Sequence, residues 1–91
     1  MSYENSYIQN KGLFKKIKVI SNKRRFRIVE LTQQDRLSIT QLSSKLNLAY
    51  TKCADYVTML ERNNLVQKIK EGKEIKVINK VKLSKNKIEF L

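Results

Sequence analysis

Histidine is absent from this 91-residue chain, and cysteine occurs once, as Cys53. Those two scarcities exclude a disulfide framework and any thiolate or imidazole cluster for a metal ion. The lack of histidine also removes the commonest general base, and leaves the single thiol of Cys53 without an imidazole partner. No plausible nucleophile–base set remains, so an enzyme is not expected. No run of about 18 apolar residues occurs, which excludes a spanning helix of the usual length. The first ten residues, MSYENSYIQN, are polar and unlike a secretory leader, so an intracellular location is expected. Acids are scarce as well, 8 against 20 lysines and arginines, for a formal charge of +12. Self-repulsion on that scale opposes compactness unless the charge meets a polyanion or an anionic surface.

What is present is one small domain's worth of apolar residues, 41% of the chain, in a repeating pattern. Residues 1–10 have little periodicity and are expected to be partly frayed, leaving 11–91 as a single domain. From Lys11 to Ile20, apolar side chains fall at Leu13, Phe14, Ile17 and Ile20, a helical stripe with Lys15, Lys16 and Lys18 largely opposite. Ser21 is a suitable N-cap for a second helix, Asn22 to about Gln33, built on Phe26, Val29, Ile28 and Leu31. Arg24, Arg25 and Arg27 crowd its start, where the helix dipole disfavours cations by up to ~1 kcal/mol. Cations held there at a cost either meet something else or lie on a solvated face that simply tolerates it.

The stretch Ser38–Val66 organises the remainder. Leu37–Ile39 reads as a short extended piece, and Thr40 can cap a third helix ending near Leu46. Leu42 and Leu46 share one face, and Leu48 anchors the following turn. Cys53, Val57 and Leu60 then recur at i, i+4 and i+7 on a fourth helix, about Tyr50–Asn63. The chain has only two glycines, and asparagine stands where the backbone needs a left-handed residue, Asn47 in the turn and Asn64 after the fourth helix. Leu65–Lys70 reads as a strand, Glu71–Gly72 as a hairpin turn, and Lys73 onward as an alternating return strand. Ser84 can cap a short last helix, Lys85–Leu91, with Ile88 and Leu91 at i, i+3. Helix, helix, short strand, helix, helix, β-hairpin wing and short C-terminal helix make an α+β, mostly α, winged helix-turn-helix.

Such a fold puts the front of its fourth helix in a DNA major groove. The outward residues there are Ala49, Tyr50, Thr51, Lys52, Asp55 and Tyr56. Lys52 can meet a guanine, Thr51 a base or phosphate, and Tyr56 a phosphate through its hydroxyl. Asp55 can accept from cytosine N4, pair with Lys52, or simply face solvent. Tyr50 can read DNA or pack at the helix start. In the wing, Lys68, Lys70, Lys73 and Lys76 surround Gly72, as phosphate contacts or as lysines that guard an edge hairpin against aggregation. Cys53 falls on the buried side, where a free cysteine is ordinarily a small core residue. The Leu13–Phe14–Ile17 stripe is either core or part of a dimer interface.

The element order and wording resemble the ArsR-like and MarR-like winged-helix transcription regulators, particularly small archaeal and bacterial ones. Ile20–Thr32, ISNKRRFRIVELT, is similar to the family's second-helix phrase, with Arg25, Ile28 and Leu31 at matching places. Leu37–Leu48 is similar to the supporting helix and turn, Leu46–Val66 to the recognition-helix phrase, and Leu83–Leu91 to the opening of the last helix. The resemblance covers roughly residues 13–91. It implies a homodimer that docks its recognition helices in successive major grooves of double-stranded DNA, in the cytoplasm at the nucleoid. The chain departs from the family pattern in three places. Clustered Cys and His ligands are absent, so no metal cofactor is expected. Asp55 stands where relatives often carry a basic or polar residue. The last helix has little length, so dimerisation would lean on the first.

Charge is unevenly placed. Residues 11–27 carry eight basic side chains and no acid, 28–66 are neutral, and 67–91 have eight basic and three acidic residues. The expected function is sequence-specific transcription regulation, with the helix-turn-helix reading and its basic flanks clamping phosphates. The rivals are an architectural protein that coats DNA without choosing sequence, and a winged helix used for protein interaction.

Overall fold

The computed structural model describes residues 11–84 and 87–90, over which four helices and five strands follow one another. Helix α1 is Lys11–Ile20, as its apolar spacing predicts, but only its last residue, Ile20, enters the core. Helix α2 is Lys23–Leu31 and starts one residue later than expected. Its cap is Asn22, not Ser21. The Asn22 carboxamide oxygen accepts from the amides of Arg24 and Arg25, both at 3.0 Å, while the Ser21 hydroxyl turns back to donate to the Lys18 carbonyl at 2.7 Å. An asparagine side chain reaches both orphan amides at once, which settles the competition between neighbouring cap residues.

Strand β1, Leu37–Ser38, leads directly into helix α3, Ile39–Leu46. Here the cap also differs from the expected one, but lies earlier, at Ser38 and not Thr40. Ser38 accepts from the Gln41 amide at 3.0 Å, and the Gln41 side chain accepts from the Ser38 amide at 2.8 Å, a reciprocal capping box. Asn47 adopts φ 54° and ψ 49°, and Asn64, just after helix α4 (Tyr50–Arg62), adopts φ 59°. Both are the left-handed positions that the sequence assigns to asparagine. Across the α3–α4 turn and the sheet, the core is Ile28, Val29, Ile39, Leu42, Cys53, Val57, Leu60, Leu65, Val66 and Val77, all nearly or fully buried. Each fully buried leucine of this set stabilises the fold by about 1.5–3 kcal/mol relative to its exposure in water.

Strands β2 (Val66–Glu71) and β3 (Glu74–Asn79) form the hairpin, with β1 on the far side of β3, giving an antiparallel sheet of order β1-β3-β2. The turn is one residue later than expected. Glu71 and Glu74 close the ladder, so Gly72 and Lys73 form the loop, and Gly72 takes φ 62°, open to glycine without a Cβ penalty.

The largest correction lies at the C-terminal end. The return strand does not run on from Lys73 without interruption, and the expected short C-terminal helix is not formed. Instead β3 stops at Asn79, and β4 (Val81–Ser84) pairs antiparallel with β5 (Lys87–Phe90). Ser84 is a strand residue and not a helix cap; residues 85, 86 and 91 lie outside the described residues, as does the expected frayed segment 1–10. The physical reason is a set of amide side chains that take over the work of a neighbouring strand. Gln33 donates to the Val81 carbonyl at 2.8 Å and accepts from the Leu83 amide at 3.0 Å. Asn79 donates to the Val29 carbonyl at 2.9 Å and accepts from the Val81 amide. Val81 is thereby buried, and Leu83 packs against the core.

Candidate nucleic-acid interface

Helix α4 is capped differently from its neighbours. Helices α2 and α3 are closed by Asn22 and by the Ser38–Gln41 box, but α4 begins at Ala49, whose side chain cannot accept a hydrogen bond. The first turn of α4 also carries no acid. Its leading amides and the positive end of its dipole are therefore left facing outward, an arrangement suited to an anion. Around that end Ala49, Tyr50, Thr51, Lys52 and Asp55 are exposed, while Cys53, Val57 and Leu60 are fully buried on the other side. Tyr50 is 47% exposed, so it does not pack away at the helix start.

Three of the expected interface residues come together beside this end. Tyr56, one turn along from Lys52, is half-buried, and its ring receives the Lys52 ammonium at 5.0 Å and the Arg25 guanidinium at 5.6 Å from its centre. Arg25 is held there from behind, because its Nε donates to the Val19 carbonyl of α1 at 2.6 Å. Lys52 thus leans on Tyr56, and among the described residues no ion pair joins it to Asp55. Arg24 is exposed, and so is Arg27, which makes a 3.4 Å ion pair with Glu30. Exposed pairs of this kind are worth about 0–1 kcal/mol, so Arg27 can exchange its carboxylate for another anion at little cost.

The wing lysines divide. Lys70 and Lys73 are exposed near the loop tip. Lys68 instead turns back onto α4: its ammonium donates to the Thr58 hydroxyl at 3.2 Å and lies 3.6 Å from the Glu61 carboxylate. The same carboxylate accepts from the Lys68 amide at 3.0 Å, covering an outward-facing group of the β2 edge. Lys76, on the opposite face of the sheet, is paired with Glu74 at 3.3 Å. Arg36, not singled out from the sequence, is paired with Glu71 at 3.2 Å. The sequence pattern places Ala49 in the outward set but passes over the cap it fails to provide. It passed over the cleft in which Lys15 and Lys18 of α1 and Arg25 stand around Val19, Met59 and Asn63. The i, i+3 spacing of Lys15 and Lys18 was the available signal.

On α1, Leu13, Phe14 and Ile17 are 40%, 57% and 49% exposed and form one apolar stripe, with Met59 of α4 also exposed. Cys53 is buried, with Sγ 3.8 Å from the Ile39 carbonyl, and burial pushes its thiol pKa up, away from the reactive thiolate. Among the described residues no three His, Cys, Asp or Glu side chains are placed to hold a metal ion, and no helix is long and apolar enough to cross a membrane.

Comparison with known proteins agrees with this architecture. The profile of a winged helix-turn-helix DNA-binding family matches residues 21–67, more than half of the chain. No curated protein matches at the sequence level. Among solved structures, reduced HlyU from Vibrio cholerae superposes with a TM-score of 0.78 at 24% identity, covering 84% of this chain and 80% of that one. The transcriptional regulator HlyU from Vibrio vulnificus gives 0.73 at 23% identity, with 87% and 82% covered. A homodimeric winged helix-turn-helix DNA-binding domain from Mycobacterium bovis, described as a possible ArsR-family regulator, gives 0.74 at 18%, with 79% and 67% covered. At these identities the likeness is one of fold.

Proposed function

The chain belongs to the winged helix-turn-helix DNA-binding family, and from that premise we propose that it is a homodimeric, sequence-specific transcription regulator of double-stranded DNA. The observation that carries the reading is the exposed, uncapped N-terminal end of α4, with Tyr50, Thr51, Lys52 and Asp55 around it. That end enters the major groove, where its side chains meet base edges and adjacent phosphates. Arg24, Arg25, Arg27 and Tyr56 hold the backbone beside α2, and Lys70 and Lys73 hold it at the wing tip. Lys68 and Lys76 support the wing's shape through Glu61 and Glu74 and contribute less to binding.

A second copy covers Leu13, Phe14 and Ile17 of α1, an apolar stripe too exposed for a monomer's core. This matches the homodimeric state of the Mycobacterium bovis domain. DNA binding as a regulator would place the protein in the cytoplasm, at the nucleoid.

The test is in vitro selection of bound duplexes from a random pool, followed by footprinting. A recurrent site with two half-sites about one helical turn apart is expected. Uniform protection of any duplex would favour the architectural coating role instead, and no duplex affinity at low salt would favour a protein-interaction role.

A further inference from the structure

We propose that Arg25, Lys52 and Tyr56 form a single preassembled site for one backbone phosphodiester, and that Lys52 therefore does not read a base. This rests on the DNA-binding reading above and assigns a definite ligand to part of it.

Two cations approach one tyrosine ring, at 5.0 and 5.6 Å from its centre, and neither has a carboxylate partner among the described residues. Arg27, Arg36, Lys68 and Lys76 each have a carboxylate within 4 Å, from Glu30, Glu71, Glu61 and Glu74 respectively. Arg24, Lys70 and Lys73, like Arg25 and Lys52, have none among the described residues. What sets Arg25 and Lys52 apart is that both approach one aromatic ring.

The geometry is also fixed in advance. Arg25 is anchored through Nε to the Val19 carbonyl at 2.6 Å, which leaves its terminal N–H groups unspent and their direction set by α1. The Tyr56 hydroxyl makes no hydrogen bond among the described residues, although the residue is half-buried. A guanidinium, an ammonium and a phenolic hydroxyl gathered around one ring supply the donors that the oxygens of a single phosphate take, with charge-assisted hydrogen bonds from the first two and a neutral one from the third. A phosphate bound here fixes the register of α4 on the duplex without carrying sequence information, and base reading falls to Thr51, Asp55 and Tyr50.

The experiment uses the whole chain and a mixed-sequence duplex, with log K measured against log salt. Two cations that share one phosphate predict a total loss of about 0.9 in slope for R25Q/K52Q, and two separate phosphates predict about 1.8. Tyr56→Phe is expected to weaken binding several-fold with the slope unchanged; unaltered affinity removes the hydroxyl from the site. Arg25 also braces α1, so Lys52→Gln, on an exposed turn, provides an arm that does not depend on it. Selection repeated with K52Q should return the same preferred sequence at lower affinity. A preference altered at one base position overturns the proposal, because Lys52 then reads that base. A slope loss near 1.8 overturns it as well. Failure of the wild-type chain to bind duplex at all refutes instead the reading on which the site rests.

Discussion

Replacing Gln33 by leucine tests whether a single carboxamide holds the C-terminal hairpin to the body. Leucine keeps much of the volume and removes all three hydrogen bonds. One of them, to the Val29 carbonyl at 3.1 Å, is dispensable, because that oxygen also accepts from Asn79 at 2.9 Å and from Thr32 at 3.2 Å. The other two are not, since the Val81 carbonyl and Leu83 amide are part-buried and point away from β5. Two part-buried hydrogen bonds at ~0.5–1.5 kcal/mol each give a loss of about 1–3 kcal/mol. For a domain of this size each kcal/mol lowers Tm by about 4–8 °C, so the expected fall is about 4–24 °C by calorimetry. Amide hydrogen exchange adds a local readout. Leu83 should lose protection by more than Val57 and Leu60, which report on global unfolding. Q33E should be at least as damaging as Q33L, because it keeps an acceptor for Leu83 but sets a carboxylate against the Val81 carbonyl. An unchanged Tm together with an unchanged Leu83 exchange rate would show that β4 does not depend on Gln33.

Other consequences are equally local. Cys53 should react with a thiol reagent at pH 7–8 only at the rate of unfolding, since burial raises its pKa and the side chain is inaccessible; fast labelling in native buffer would contradict its placement. Asn64→Ala should destabilise the fold by about 1 kcal/mol and Asn64→Gly should not, measured by urea titration, because φ of 59° strains a Cβ-bearing residue least able to bond locally. At the wing, Lys73→Gln should reduce the salt slope of DNA binding by close to 0.9 and Lys68→Gln by much less, because Lys68 is occupied by Glu61 and Thr58; equal effects would place both on phosphates.

The sequence is most legible where periodicity is long. Helix α4 was readable because Cys53, Val57 and Leu60 repeat over two turns, and the same three residues are its buried set. Asn47 and Asn64 were readable because few residues tolerate a left-handed backbone and both stand at helix ends. The caps were not, since Ser21 and Asn22, or Ser38 and Thr40, are nearly equal candidates that only the reach of the side chain separates. The C-terminal hairpin was misread from a two-point match. Ile88 and Leu91 fit a helix, but Val81–Leu83 and Ile88–Phe90 alternate with period two on either side of Lys85–Asn86, and Leu83 lies opposite Ile88. The deciding partner, Gln33, is 50 residues away from Leu83, beyond any local pattern. At the interface, residue types were legible and their partners were not. Lys68 and Lys70 look alike in the sequence, yet Lys68 is drawn onto α4 by Glu61. The clue was that Val66, two residues earlier on the same face of β2, is buried.

That distinction alters where attraction for a polyanion originates. By residue count the two flanks look comparable, with eight basic side chains in residues 11–27 and eight in 67–91. In three dimensions the wing side meets Glu61 and Glu74 at Lys68 and Lys76, and Glu71 at the neighbouring Arg36. On the α1–α2 side, one exposed pair, Arg27–Glu30, is found among the described ion pairs. Exposed pairs are weak individually, but each places a negative charge within 4 Å of a positive one, so out to a Debye length of about 8 Å an approaching polyanion meets little more than their near-zero sum. The long-range field should therefore be strongest over Lys15, Lys18, Arg24 and Arg25 and should bring a duplex first to the α2 flank of α4. The wing would engage afterwards, through Lys70 and Lys73. On this argument charge reversal in α1 or α2 slows association, whereas loss of the wing-tip lysines shortens the lifetime of a complex already formed.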